Sequence, residues 1–153
     1  MNLYNLHAAP EELSLYNQRL TNPVIVWGKI MKGRRAGYLA DIQKEAKDGR
    51  YRDVLKKDAH IATMFARDIL LGRFEEAEEE IATSAQWSYV YAAMVLNGRF
   101  KLGEDAIATH AGYSLSYALN VLHGRFLAGE EVMKTDDYVW RSYTRNFMRN
   151  GET

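Results

Sequence analysis

The sequence predicts an all-α protein, a short α-solenoid of helical hairpins recurring about every 26 residues, and three observations predict it. Gly-Arg-Phe stands at 72–74, 98–100 and 124–126. Laid on residues 98–123, residues 72–97 are identical at 13 of 26 positions. Unrelated segments of that length would share roughly one or two, so the period is a duplication. Within the unit, Leu115, Ala118, Leu119 and Leu122 fall at i, i+3, i+4 and i+7, one face of a helix, with no strand-like alternation. A helix of about nine residues cannot hold itself in water, so each hairpin must bury its face against its neighbours.

Taken in order, residues 1–58 read as degenerate units. Ile30, Met31, Gly33 and Arg34 match Val95, Leu96, Gly98 and Arg99, but the 39 residues from Gly33 to Gly72 exceed one period by 13, an insertion. Both prolines, Pro10 and Pro23, lie early, so nothing later interrupts a helix. Residues 59–123 are the regular repeats, where Phe65, Ala66, Ile69 and Leu70 already match Tyr91, Ala92, Val95 and Leu96. Each repeat pairs a short helix led by acids, such as Glu104 to Thr109, with a second such as Ser114 to Leu122. Ser88 and Ser114 are expected as N-caps of the second helices. Gly72, Gly98 and Gly124 follow the last apolar residue by two positions and are expected to terminate them with φ > 0. Residues 124–153 keep Gly129, Glu130 and Thr135 and then drift, as a capping unit would; the whole of 1–153 reads as one domain.

The unit A-x-x-Y-A-x-x-V-L-x-G-R-F-x-x-G-E-x-x-I resembles tandem repeats of uncharacterised bacteriophage and giant-virus proteins, over about residues 59–135 with weaker traces back to about residue 22. The resemblance implies a viral origin and a role in interaction. The chain departs from the pattern at Ala77, where the other units have Gly103 and Gly129.

Lys plus Arg and Asp plus Glu each number 20, so no global field draws the chain to nucleic acid or membrane. Cysteine is absent, which excludes disulfides and thiolate metal sites. Met1 to Asn5 opens no basic leader with an apolar run, and no apolar stretch approaches about 18 residues. A soluble cytoplasmic protein is therefore expected, in the host cytoplasm if viral. His7, His60, His110 and His123 are scattered, and Gly-x-Gly-x-x-Gly, P-loop and Gly-x-Ser-x-Gly motifs are missing. The acid run Glu75, Glu76, Glu78, Glu79 and Glu80 reads as a hydrated first turn. No catalytic, cofactor or metal residue is expected.

Three candidate surfaces remain. Arg73, Arg99 and Arg125 could form a ladder facing phosphates or an acidic protein. Each is followed five residues later by Glu78, Glu104 or Glu130, and structural pairing within the repeat, alongside Phe74, Phe100 and Phe126, is the stronger reading. Residues 29–57 carry 10 basic and 4 acidic side chains with Tyr38 and Tyr51 among them; Arg34, Arg35, Arg50 and Arg52 are the candidates for binding nucleic acid there. At the end, Arg141, Arg145 and Arg149 recur at i+4 beside the aromatic face Trp140, Tyr143 and Phe147, either a docked terminal helix or a partner surface. The expected activity is protein interaction without catalysis, on a host or viral protein, with nucleic acid through 29–57 as the alternative.

Overall fold

The computed structural model describes residues 19–149; the Met1 to Asn5 opening, His7, Pro10 and residues 150–153 lie outside them. The fold is all-α, and no strand occurs among the described residues. The chain divides into two compact units, Met1–Ala77 and Glu78–Thr153.

In the first unit, α1 (Pro23–Arg35) starts where Asn22 accepts the N–H groups of Val24 and Ile25 at 2.9 and 3.3 Å, with proline at the first helical position. Val26, Ile30 and Gly33 form its buried face. Gly37, at φ 94°, turns the chain into α2 (Leu39–Lys47), which buries Ile42 and Ala46. Gly49 and Tyr51, at φ 102° and 74°, turn it again into α3 (Arg52–Leu55). The inserted residues of the sequence are thus α2 and the two left-handed turns that bracket it. Asp58 caps α4 (Ala59–Phe65), whose last turn widens into a π turn, Ala66–Leu70.

The second unit alternates short and longer helices. α5 (Glu78–Ile81), α7 (Glu104–Ile107) and α9 (Glu130–Met133) have four residues each. α6 (Ala85–Tyr91) and α8 (Ala111–Tyr117) each run on through a π turn, Ala92–Leu96 and Ala118–Leu122. α10 (Asp137–Phe147) remains α-helical to its end. α6 packs on α7 and α8, and α8 on α9 and α10.

Three local expectations are corrected. Gly72, Gly98 and Gly124 do not take φ > 0; the left-handed residues are Leu71, Asn97 and His123, at φ 53°, 49° and 50°. The carbonyl at the head of each π turn explains the shift. Ala66, Ala92 and Ala118 each accept two N–H groups, from the left-handed residue and from the following glycine, the latter at 3.1 to 3.2 Å. The widened turn puts the reversal one residue earlier than an α-helical end would.

Ser88 and Ser114 are not caps. The caps are Ser84 and His110, which accept the N–H groups of Trp87 and Tyr113. Ser88 and Ser114 are fully buried and donate to the carbonyls of Ile81 and Ile107 at 3.0 and 2.9 Å, tying the two helices of a hairpin together. The sealed face of α8 is accordingly Ser114, Tyr117 and Ala118, whereas Leu115, Leu119 and Leu122 are only half-buried. A 3.6-residue period cannot be extrapolated through a π turn.

Successive repeats approach closely at a glycine. A Cβ on Gly103 would lie 2.5 Å from Ser88 Oγ and 2.6 Å from Phe100 Cδ1, and one on Gly129 would lie 2.6 Å from both Ser114 Oγ and Phe126 Cδ1. The departure at Ala77 falls at this register. Ala77 stands in the glycine register of the first unit, where Ala62 stands in the serine register, and both are fully buried. Edge-to-face ring pairs nine residues apart repeat alongside: Phe65–Phe74, Tyr91–Phe100 and Tyr117–Phe126, with centroids 5.3, 5.1 and 5.1 Å apart.

Gly103→Ala is expected to cost about 2 kcal/mol by overpacking. Adding Ser88→Ala removes the Oγ contact but keeps Ser88 Cβ at 2.6 Å and Phe100 Cδ1 at 2.6 Å from the new methyl, so it should recover less than half of that loss in a urea double-mutant cycle. Gly98→Ala, whose Cβ would meet only a carbonyl oxygen at 3.8 Å, should be close to neutral. Leucine is poorly suited to the left-handed region, so Leu71→Asn should raise the urea midpoint, by about 1 kcal/mol of stability. An unchanged midpoint would argue that Leu71 is strain-free.

Candidate functional site

The repeated residues build a polar network inside each hairpin. In residues 98–123 the Phe100 N–H donates to the Tyr117 hydroxyl at 3.0 Å, and that hydroxyl donates to Glu104 Oε1 at 2.8 Å. Arg99 grips the same carboxylate with Nε and Nη2 at 2.6 and 3.0 Å. The next unit repeats it: Phe126 N–H to Tyr143 at 2.9 Å, Tyr143 to Glu130 at 2.8 Å, Arg125 to Glu130 at 2.9 and 3.0 Å. Tyr91 donates to Glu78 at 2.9 Å. Within the first unit, Arg73 lies 3.8 Å from Glu75.

The electrostatics follow the contacts. Burial pulls the Glu104 carboxyl upward, but the hydrogen bonds from Arg99 and Tyr117 outweigh it and hold the group below the usual carboxylate range. Burial pushes the Tyr117 and Tyr143 hydroxyls above the usual tyrosine range, reinforced by the neighbouring carboxylates. These tyrosines therefore stay neutral and keep donating. The arginine ladder is a row of internally paired groups in the second unit, with Arg99 and Arg125 each sharing its charge with a carboxylate.

Other exposed, repeated residues are satisfied in the same way. The hydroxyls of Thr83, Thr109 and Thr135 donate to the carbonyls of Glu80, Ala106 and Val132 at 2.7, 2.7 and 2.6 Å, closing the short helices.

The basic segment does not assemble as one surface. Arg50 pairs with Glu45 at 2.9 Å, and Tyr51 donates to the same carboxylate, the residue types of the repeat network in a new order. Arg52 grips Glu76 through two contacts of 2.8 and 3.1 Å and lies over the Phe74 ring at 5.3 Å. Its hydrogen bonds hold the Glu76 carboxyl below the ordinary range. Arg34 and Arg35 are exposed at the end of α1, and no ion pair reaches them among the described residues. A cleft of about 240 Å³ in this unit is lined by Leu20, Val26, Lys29, Arg50, Tyr51 and Val54.

At the end of the second unit, Tyr143 is fully buried, stacked on Trp140 at 5.6 Å and meeting Phe147 at 5.3 Å. Arg141 and Arg145 are exposed on α10. The i+4 stripe stops there, because the helix ends at Phe147 and Arg149 lies beyond it.

A cluster that sequence reasoning missed lies on α6 and α8. The Tyr89 and Tyr113 rings are 6.0 Å apart, His110 lies 4.6 Å from Tyr113, and Asn120 donates to the Tyr89 hydroxyl at 2.9 Å. His110 and Asn120 are exposed, and both tyrosines are half-buried. The four occupy non-repeated positions, and the Asn120–Tyr89 bond spans 31 residues, so no local pattern signals them. Met94, Leu102, Leu127 and Tyr138, also non-repeated, are 54%, 54%, 68% and 78% exposed.

Among the described residues no group of three or more His, Asp or Glu is placed to hold a metal, and no helix is long and apolar enough to cross a membrane. No protein-family model, no curated protein and no solved structure matches the chain.

Because Glu104 is held below its ordinary value, its contribution is fully present above about pH 4.3 and lost as pH falls through the lowered value. Urea midpoints of the wild type should fall more steeply with acid below about pH 4.5 than those of Glu104→Gln. Parallel curves would count against the network as the holder of that carboxylate.

Proposed function

We infer that the chain is a non-enzymatic protein-interaction module of the phage-encoded kind, which binds and modulates a host or viral protein. One contrast carries the reading. In the second unit, exposed residues that recur from repeat to repeat, Arg99 with Arg125 and Thr109 with Thr135, make internal hydrogen bonds. Exposed apolar and aromatic residues occupy positions that differ between repeats: Met94 against Asn120, Leu127 against Lys101, Tyr138 against Gly112. In repeat proteins the constant residues maintain the stack and the varied surface is left for contact. Tyrosine with histidine, asparagine and methionine is also the composition of contact surfaces, because tyrosine offers large area with little rotational freedom to lose. Arg50 and Arg52, already engaged by Glu45 and Glu76, weigh against the nucleic-acid alternative.

The test is capture from a bacterial host lysate on the immobilised full chain, with and without nuclease, read by mass spectrometry. One protein should be retained near stoichiometry, indifferent to nuclease and to Arg34→Glu/Arg35→Glu. Tyr89→Ala/Tyr113→Ala should lower its retention at least about tenfold, the loss of one or two aromatic anchors. Capture abolished by nuclease and by the arginine variant would replace this reading with nucleic-acid binding.

A further inference from the structure

We propose that the long helices of the second unit hold an extended peptide segment of a partner protein, with its apolar end on α6 and α8 and its acidic end on Arg141 and Arg145 of α10. The inference rests on the protein-interaction reading above and gives that partner its chemistry. Charge is segregated between the two kinds of helix in this unit. Residues 84–97 and 110–123, which hold α6 and α8 with their π turns, contain no Asp, Glu, Lys or Arg. Residues 98–109 and 124–135 carry two basic and two acidic side chains each. Arg99 with Glu104, Arg125 with Glu130 and Lys134 with Glu131 are ion pairs there.

The third long helix breaks that neutrality. Tyr117 and Tyr143 are both fully buried and donate to equivalent glutamates, which fixes the register between α8 and α10. Tyr89, Leu115 and Arg141 therefore occupy one position on three successive long helices, the first two half-buried and the arginine exposed. Arg145 follows one turn later on the same side of α10. Asp137, the one acid within α10, stands at its start. Arg141 Nε donates to the Asp137 backbone carbonyl at 3.2 Å, and no ion pair reaches Arg141 or Arg145 among the described residues.

Each end of the row selects its own chemistry. Over α6 and α8 a partner's charge would lose hydration with no counter-ion to replace it, so uncharged side chains are favoured. Tyr113 lies beside Tyr89 with ring centroids 6.0 Å apart, which gives that end an aromatic floor. At α10 the preference reverses, because a carboxylate fits the planar guanidinium fork. Neighbouring helices pack about 8–10 Å apart, so the row from α6 to α10 spans roughly 20 Å, the reach of about six extended residues. A nucleic-acid strand carries a phosphate at every nucleotide, whereas the cations of this row stand at one end only.

The test pans a display library of random peptides, each about 12 residues long, on the immobilised full chain. Enriched peptides should place aromatic or aliphatic residues about three to six positions from Asp or Glu. A synthetic peptide of the enriched sequence should bind Arg141→Glu/Arg145→Glu at least about tenfold more weakly than the wild type, and Tyr89→Ala more weakly as well. Arg141→Gln/Arg145→Gln, which removes the charges without reversing them, takes the place of the reversed variant if that one unfolds. Enriched peptides without acids, or equal binding by wild type and arginine variants, would overturn the proposal. Displacement of the peptide by an oligothymidylate of about 12 nucleotides would assign the row to nucleic acid instead. One protein retained in the lysate capture with no peptide enriched here would overturn this inference alone and leave the interaction reading standing.

Discussion

The hydroxyl of the repeated tyrosine is the point on which the second unit turns. In Tyr117 and Tyr143 it accepts a buried backbone N–H and donates to a glutamate that an arginine already holds. Each partner would be costly to bury alone, since an unsatisfied N–H or a lone carboxylate loses its hydration without replacement. Together they leave no donor or acceptor unmet, and the phenol can sink fully into the core. The ring is then available to pack edge-on against the phenylalanine that opens the following repeat, as Tyr117 does on Phe126. Position, charge neutralisation and ring packing are consequences of one side chain with two chemical ends.

Much of this architecture is legible in the sequence because its strongest signals are the network's own members. Gly-Arg-Phe, the glutamate five residues after the arginine and the tyrosine recur at a constant period because each needs the others. What was illegible depends on how the backbone closes. The π turns at Ala92 and Ala118 move the left-handed residue from glycine to Asn97 and His123, residue types that tolerate that region. They also displace the buried face, so Leu119 and Leu122 are less enclosed than a regular helix would place them. Ser88 and Ser114 look like caps in one dimension, yet their hydroxyls turn inward to the preceding helix.

The surfaces were the hardest to read. Residues 29–57 look like a basic patch by composition, but the acids that engage Arg50 and Arg52 come from Glu45 in α2 and from Glu76, the latter 24 residues away in sequence. The aromatic cluster joins Tyr89 to Asn120 through contacts that exist only once two hairpins are stacked. Periodicity exposes what repeats, and these four residues do not repeat. Ala77 is the intermediate case: visible as a departure from glycine, in register with Ala62, which departs from serine.

The division of labour between the two kinds of contact has a genetic consequence. The hydrogen-bonded network of residues 98–123 closes within those residues, while two of the contacts that join it to its neighbours, the ring pair and the serine–glycine approach, have the same form at either end. Unequal recombination that added or removed one such 26-residue segment would therefore rejoin compatible surfaces and strand no buried charge. Length in this architecture can drift by whole units with these two contacts kept, while bonds between non-repeated residues, such as Asn120 to Tyr89, would change with the unit inserted or lost.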